Sequence, residues 1–303
     1  MQGFPFGTLV CNREEKRMDM KINWYPGHMT RAKRKIQEAL PQVDLIIELL
    51  DARAPYSSSN PSFSELFARK PVLTLLTKCT LADPAMTSRI VSRLRTSDRV
   101  VIPVDCKTGM GVKNVAPAIR ELMAEKLQRN AEKGIKKPMR AMVVGITNVG
   151  KSTFINTFVG AKKAKAEDRP GVTRSNQWIP APSMGVELLD TPGVLWPKFD
   201  DQRVAVNLAS LGAINDEILD LVELAVALLG VLRVRYPELL KARYKAEWEP
   251  SDTDYELFQK IARKRGFIRS GAEVDDDRTA AVLLDEFRAG KIGQITLDHE
   301  EGV

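Results

Sequence analysis

The sequence predicts an α/β protein in which a parallel-rich sheet flanked by helices is followed by a smaller, all-helical domain. Three observations carry this. Short apolar runs with β-branched residues alternate with helical patterns over the first two-thirds of the chain, the pattern of parallel strands joined by crossover helices. One of these runs passes directly into a glycine-rich turn and then a helix. After about Phe199 the strand signals stop, and apolar residues recur at helical spacing instead.

Asp44–Asp51 (DLIIELLD) reads as a buried strand, and Pro71–Leu76 and Val100–Val104 as two more. Helical periodicity falls at Thr30–Leu40, Pro84–Leu94 and Val115–Asn130. A basic linker, Lys133–Lys137, leads to a fourth strand at Met139–Ile146, a helix at Ser152–Val159 and a further strand at Gly185–Asp190. Helices are then expected at Val204–Leu211, Ile218–Val234, Tyr255–Arg265 and Arg278–Arg288. The expected organisation is a flexible N-terminal extension over 1–20, an α/β domain over 21–200 and a helical domain over 201–303.

Hydrophobic residues make up 44% of the chain and charged residues 28%, which supports a packed core and excludes wholesale disorder. No apolar run reaches the roughly 18 residues of a membrane span, and Met1–Met20 lacks the apolar core of a secretory signal. Three scattered cysteines, Cys11, Cys79 and Cys106, have no metal-binding spacing and argue for a reducing, cytoplasmic setting. With only two histidines, a His-based metal site is not expected. A net charge of +7 suits a polyanionic partner such as nucleic acid, and equally a plain basic protein. Nothing in the sequence demands more than a monomer.

The segment Gly145-Ile-Thr-Asn-Val-Gly150-Lys151-Ser152 fits G-x-x-x-x-G-K-[ST] and sits between a strand and a helix, the context that separates a phosphate loop from a chance glycine turn. Its amides, from Asn148 through Thr153, are candidates to curl around phosphate oxygens at a helix N-terminus. Lys151 would reach the β- and γ-phosphates, and the Ser152 hydroxyl would bind Mg²⁺. Asp190-Thr-Pro-Gly193 closes the next strand, where Asp190 is the second acidic Mg²⁺ site and the Gly193 amide can sense the γ-phosphate. Between them, Arg169-Pro-Gly-Val-Thr-Arg174 supplies Thr173 as a second candidate Mg²⁺ ligand.

GTPases read guanine with an N/T-K-x-D motif downstream of the phosphate loop, and beyond Gly193 none lies on a strand. Upstream, the strand Pro71–Leu76 ends in Thr77-Lys78-Cys79-Thr80, and the following one in Asp105-Cys106-Lys107, the place of the S-A-K element that backs the base. The order is therefore base, base, phosphate, switch, switch: the usual cycle cut at another point. With this order the chain resembles the circularly permuted GTPases of ribosome assembly, and among them the bacterial members that mature the large subunit. The resemblance spans about residues 21–300 and includes Trp24-Tyr-Pro-Gly-His-Met29, Asp51-Ala-Arg-Ala-Pro55, Asn148-Val-Gly-Lys-Ser-Thr153, Pro170-Gly-Val-Thr-Arg174, Asp190-Thr-Pro-Gly193 and Phe287-Arg-Ala-Gly-Lys-Ile-Gly293. It implies GTP binding and hydrolysis with Mg²⁺, GDP as product, and a partner in the large-subunit precursor and its rRNA.

One departure stands out. The family usually carries aspartate where this chain has Thr80, and commonly asparagine where it has Thr77. That aspartate accepts hydrogen bonds from guanine N1–H and the 2-amino group, and a lone hydroxyl cannot replace both. Each such bond to a charged group contributes roughly 1.5–3 kcal/mol, so weak or relaxed base preference is expected; Asp83 lies three residues too late to substitute. The position just after D-x-x-G, where a glutamine orients the attacking water in related enzymes, is Val194. The resemblance implies His28 for that role, a histidine that titrates near neutral pH in a Pro-Gly loop. Two basic surfaces are candidates for RNA phosphates: Lys260, Arg263, Lys264, Arg265 and Arg269, and the helix face with Arg31, Lys33, Arg34 and Lys35. A binding module with poor nucleotide affinity and a P-loop ATPase or nucleotide kinase are the competing classes. The intact Lys151, Ser152 and Asp190 disfavour the first, and the permuted order the second.

Overall fold

The computed structural model describes residues 22, 27–67, 70–160 and 177–298, with only the backbone of His28 and Ser64. In chain order the elements are α1 (Gly27–Ala39), β1 (Leu45–Asp51), α2 (Pro61–Phe67), β2 (Val72–Thr77), α3 (Pro84–Leu94), β3 (Arg99–Pro103), α4 (Val115–Leu122), α5 (Ala124–Glu132), β4 (Met139–Gly145), α6 (Lys151–Val159), β5 (Gln177–Ala181), β6 (Val186–Asp190), α7 (Gln202–Ser210), α8 (Leu221–Arg235), α9 (Pro237–Tyr244), α10 (Asp254–Arg265) and α11 (Asp276–Arg288).

Among the described residues the strands form one six-stranded sheet in the order β3-β2-β1-β4-β6-β5. All pairings are parallel except β5 with β6, which is antiparallel. A strand covered on both faces reads as a mainly apolar run rather than an alternating one, and β1 follows this: all seven of its residues are buried and five are apolar. Glu48, inside that strand, is kept by Thr74 and by Arg99 at 3.5 Å, although burial still pushes its carboxyl above the usual range. The carboxyl ends of β1, β2, β3, β4 and β6 therefore open on one edge, where ligands sit in open α/β sheets.

The structure departs from the sequence expectation in several places. The long helix expected over Val115–Asn130 is broken at Met123, whose φ of −105° and ψ of 10° lie outside helical values. The strand β5 was not foreseen, because Pro180 and the polar Gln177 weaken the pattern; Pro cannot donate to a ladder and is tolerated on an edge, which is where β5 lies. The helices α2 and α9 were also not foreseen: each opens with a proline, at Pro61 and Pro237, which reads as a breaker in sequence yet suits the first helical turn.

From Gln202 onward the elements are helical, with α8 buried on several sides and packed against α7, α10 and α11. One continuous apolar cluster runs from the sheet residues Leu45, Val143 and Leu188 through Leu208 and Leu229 to Leu284 and Phe287. The change near Asp200 is thus a change in type of secondary structure with the core unbroken. The segment after α11 turns back to the sheet: Ile295 N–H donates to Leu81 O (3.0 Å) and Leu297 N–H to Arg53 O. The motif Phe287–Gly293 has its reason here, since a Cβ on Gly290 would lie 2.7 Å from Leu81 and one on Gly293 2.7 Å from Leu239.

Candidate nucleotide site

The phosphate-loop segment leaves β4 at Gly145 and enters α6 at Lys151. Gly150, the residue before the helix, has a φ of 103°, a conformation that residues with a Cβ rarely adopt. Lys151 folds back over the loop and donates to Gly145 O (3.2 Å) and Ile146 O (2.6 Å). It is 7% exposed, and burial pushes its ammonium down to about 8 against the upward pull of Asp190, with Lys78 adding a like charge. Asp190, at the end of β6, is 3% exposed; burial pushes its carboxyl up to about 6, opposed by Lys151 and the Thr191 amide. Its Oδ1 is buried with no hydrogen-bond partner among the described residues. A buried carboxylate oxygen left unmatched beside an ammonium is costly unless a cation or polar ligand completes it, so these residues fit a Mg²⁺–phosphate group.

Gly193 lies against the phosphate loop. A Cβ there would come within 2.7 Å of Thr147 Cα and 3.0 Å of Lys151 Nζ, so the close approach requires glycine. Val194 is buried and its carbonyl accepts from Asn60 Nδ2 (3.0 Å), so the residue after Gly193 turns inward and offers no group to water. Asn148 and Val149 serve as anchors of the loop: Asn148 Nδ2 donates to Gly212 O (2.7 Å), Thr147 Oγ1 donates to Ala213 O, and Val149 O receives the Thr77 hydroxyl (2.7 Å). Ser152 and Thr153 lie half-buried in the first turn of α6.

The residues expected on the base side arrive from two other strands. Thr77, at the end of β2, donates to Val149 O and also reaches Leu50 O (3.2 Å). It thereby joins β2 to the phosphate loop with a hydroxyl, so the missing asparagine does not leave that junction open. Lys78 has a φ of 55° and donates to Asn148 O and to Asp51 Oδ2, both at 2.9 Å. Asp51 also binds Arg53 through both carboxylate oxygens, at 2.9 and 2.8 Å. Burial alone would raise Asp51; Arg53 and Lys78 overcome it and hold the carboxyl well below the usual range. Thr80 Oγ1 donates to Asp105 Oδ2, and Asp105 Oδ1 accepts from the amides of Lys107 (2.8 Å) and Thr108 (3.2 Å). Cys106 O accepts from Thr157 Oγ1 of α6 (3.2 Å), burial pushes its thiol up to about 12, and the Lys107 side chain is exposed. Asp83 caps α3 through the amides of Ala85 and Met86, so it is committed elsewhere.

Thr77, Lys78, Thr80, Asp105, Cys106 and Lys107 are therefore brought to the same sheet edge as Asn148–Thr153, Asp190 and Gly193. His28 falls in the first turn of α1, with its side chain outside the described residues, and Thr173 also lies outside them. Sequence reasoning missed the ion pair between Asp51 and Arg53 and the tie of Asn148 to Gly212; the first was signalled by the D-A-R-A-P run, the second by nothing local. Of the basic run, Lys260 pairs with Asp252, Arg265 with Glu286, and Arg269 with Asp275 and Asp277, while Arg263 and Lys264 are exposed and make no such ion pair among the described residues. On α1, Arg34 pairs with Glu38 at 2.8 Å, and Arg31 and Lys35 are exposed.

A largely parallel sheet, a phosphate loop at the head of α6 and, earlier in the chain, the loops expected to carry the base define a P-loop GTPase with circularly permuted order. Comparison with known proteins agrees. Residues 140–261 match the 50S ribosome-binding GTPase family, a span that holds Gly145–Ser152 and Asp190–Gly193 and omits Thr77–Thr80 and Asp105–Lys107. Ribosome biogenesis GTPase A of Priestia megaterium is 45% identical over 92% of this chain and 97% of its own. A GDP-bound structure of TM YlqF aligns over 89% of this chain and 100% of its own with a TM-score of 0.62 at 25% identity, and a GNP-bound YlqF from T. maritima over 90% and 100% with a TM-score of 0.60 at 26% identity. The chain belongs to the ribosome biogenesis GTPase A family, and it is a GTP hydrolase that acts in ribosome assembly. Among the described residues, no helix is long and apolar enough to cross a membrane.

Proposed function

We propose that the protein is a GTP-driven switch in late maturation of the large ribosomal subunit, acting as a monomer in the cytoplasm on the precursor particle and its rRNA. The observation that carries the switch is the packing of Gly193 on Thr147 beside the Asp190 oxygen that has no partner among the described residues. Lys151 binds the β- and γ-phosphates, the amides of Asn148–Thr153 line the phosphates, and Ser152, Thr173 and Asp190 hold Mg²⁺. Bound there, the metal supplies charge stabilisation to the leaving phosphate oxygens. Water attacks the γ-phosphorus, the bond to the β-phosphate oxygen breaks, and GDP and phosphate leave; Val194 takes no part, and His28 orients the water. The base rests on Thr77–Thr80 and Asp105–Lys107.

The γ-phosphate state reaches the helical domain by two short routes. Gly193 lies 9 residues before Gln202, the start of α7. The loop residues Thr147 and Asn148 bond the turn that ends α7. A shift of Gly193 with the γ-phosphate therefore moves the surface that grips RNA. Arg263 and Lys264, with Arg31 of α1, are the side chains proposed for phosphate contacts.

The test is GTP turnover by the purified protein alone, with large subunits, and with small subunits. Slow intrinsic turnover, strong stimulation by large-subunit particles and loss of stimulation in His28→Ala are expected. Equal stimulation by small subunits would overturn the large-subunit assignment, and unchanged stimulated turnover in His28→Ala would remove the histidine from the mechanism.

A further inference from the structure

Position 80 carries a hydroxyl where the N/T-K-x-D motif ends in a carboxylate, and a carboxylate from the loop after the neighbouring strand meets that hydroxyl. Asp105 follows β3, is 6% exposed, and accepts the Thr80 hydroxyl on Oδ2. Its other oxygen is filled by the amides of Lys107 and Thr108, which fixes the carboxylate plane. Thr80 is fixed too: Gln294 Nε2 donates to its carbonyl (3.0 Å) and Ile295 N–H to the next one, Leu81 O.

We propose that Thr80 and Asp105 together form the guanine-reading group of this protein, the hydroxyl and the carboxylate oxygen Oδ2 replacing the two oxygens of the usual aspartate. The chemistry follows from which protons are spent. Thr80 gives its only hydroxyl proton to Asp105, so its oxygen can face a ligand only as an acceptor. Asp105 Oδ2 accepts one hydrogen bond and keeps room for another. Two neighbouring acceptors result, with the carboxylate charge behind them. Guanine offers two neighbouring donors, N1–H and the 2-amino group, and matches. Adenine offers an acceptor at N1, and xanthine a carbonyl at C2; each meets an acceptor and is rejected, because a buried polar group facing its own kind goes unpaired. Selectivity for guanine is thus retained, where position 80 read alone implies that it is relaxed. This inference rests on the proposed placement of the base at Thr77–Thr80.

An exchange of residues separates it from the alternatives. Displacement of a fluorescent GDP by GTP, ATP, ITP and XTP is measured in Mg²⁺ for the wild type, Asp105→Asn, Thr80→Asp, Asp105→Ser and the double variant Thr80→Asp/Asp105→Ser, with Lys151→Ala as control. The wild type should prefer GTP over ATP and XTP, and ITP, without the 2-amino group, should fall between. Asp105→Asn keeps an oxygen for the Lys107 and Thr108 amides, so the loop holds, but its amide turns a donor to Thr80; GTP affinity should fall roughly tenfold to a hundredfold with XTP gaining on GTP. Thr80→Asp alone restores the family residue yet sets two carboxylates together, so it should bind GTP more weakly than the double variant, a non-additive cycle.

If Thr80→Asp tightens GTP equally whether position 105 is Asp or Ser, or if Asp105→Asn leaves the GTP to XTP ratio unchanged, the inference is overturned. A wild type that binds GTP and ATP alike, both lost in Lys151→Ala, sinks this inference and spares the phosphate site. Failure to bind any nucleotide sinks both.

Discussion

The phosphate loop takes its shape from eight consecutive residues, Gly145–Ser152, whereas the base side is assembled from loops after β1, β2 and β3 and is braced by the C-terminal segment. On the first side the main-chain path and one lysine do nearly everything, so the residue types are dictated at fixed spacing. On the second, a chemical requirement for acceptors in one place can be met from more than one strand. On the proposed reading, that difference accounts for an intact phosphate motif beside Thr77 and Thr80, where the resemblance implies asparagine and aspartate. Thr77 still reaches Val149 O, and Thr80 gains Asp105. The phosphate loop fixes residue type at its glycines, Lys151 and Ser152; an assembled site leaves more choice at each position.

The comparison can be broken most forcefully at the junction of the two sides. Asp51→Asn leaves Arg53, 2% exposed, without its charge partner and should cost roughly 3–5 kcal/mol of stability, read by urea unfolding. The pH dependence has a definite sign. The Asp51 carboxyl is held below its unfolded value, so its contribution is present above about pH 4 and is lost as pH falls toward the folded value. The gap between wild type and Asp51→Asn should therefore begin to close below about pH 4, near 1.4 kcal/mol per pH unit; a gap that widens in acid would show that Asp51 is not the paired carboxylate.

Lys151→Ala tests whether the phosphate side is indifferent to the base. Turnover should fall by about 10²–10³, and nucleotide binding should weaken by the same factor for GTP, ITP and XTP. A loss confined to guanine would mean the two sides are not separable. Gly193→Ala places a methyl where Thr147 Cα lies 2.7 Å away. Turnover should drop about tenfold to a hundredfold through misplacement of the loop, while GDP affinity changes little. Equal loss of GDP binding would assign Gly193 to general support of the fold.

The smallest expected effect lies farthest from the ligand. Arg288 donates to Ala209 O and Ser210 O at the end of α7 and pairs with Asp216 at 2.6 Å. That turn continues into Gly212 and Ala213, which accept from Asn148 and Thr147. Arg288→Ala should cost roughly 1.5 kcal/mol in unfolding and weaken all nucleotides alike by a few-fold. A change limited to one base would move Arg288 to the base side.

Much of the fold was legible because each strand of a covered parallel sheet carries its own apolar run: β1, β2, β3, β4 and β6 were all expected within one or two residues of where they lie. The edge strand β5 was not, since its pairing with β6 is antiparallel and its Pro180 obscures the pattern. The helix break at Met123 likewise has no marker, as neither glycine nor proline stands there. In the candidate site, the phosphate loop and the D-T-P-G turn could be read directly, while the contact of Asp105 with Thr80 could not. From sequence Asp105 occupied the place of a serine, and the bond to Thr80 joins residues 25 apart.

The sequence by itself determined the phosphate loop, the permuted order of the segments and the switch from strands to helices near Asp200, because spacing along the chain is enough to specify a turn, a period or an order. Tertiary structure alone decided that Asp105 meets Thr80, that the end of α7 holds Asn148, and that Gln294 and Ile295 brace the base loop. Those contacts join segments whose separation in the chain carries no signal; they exist only once burial of a common core has brought the strand ends and the C-terminal segment to one edge.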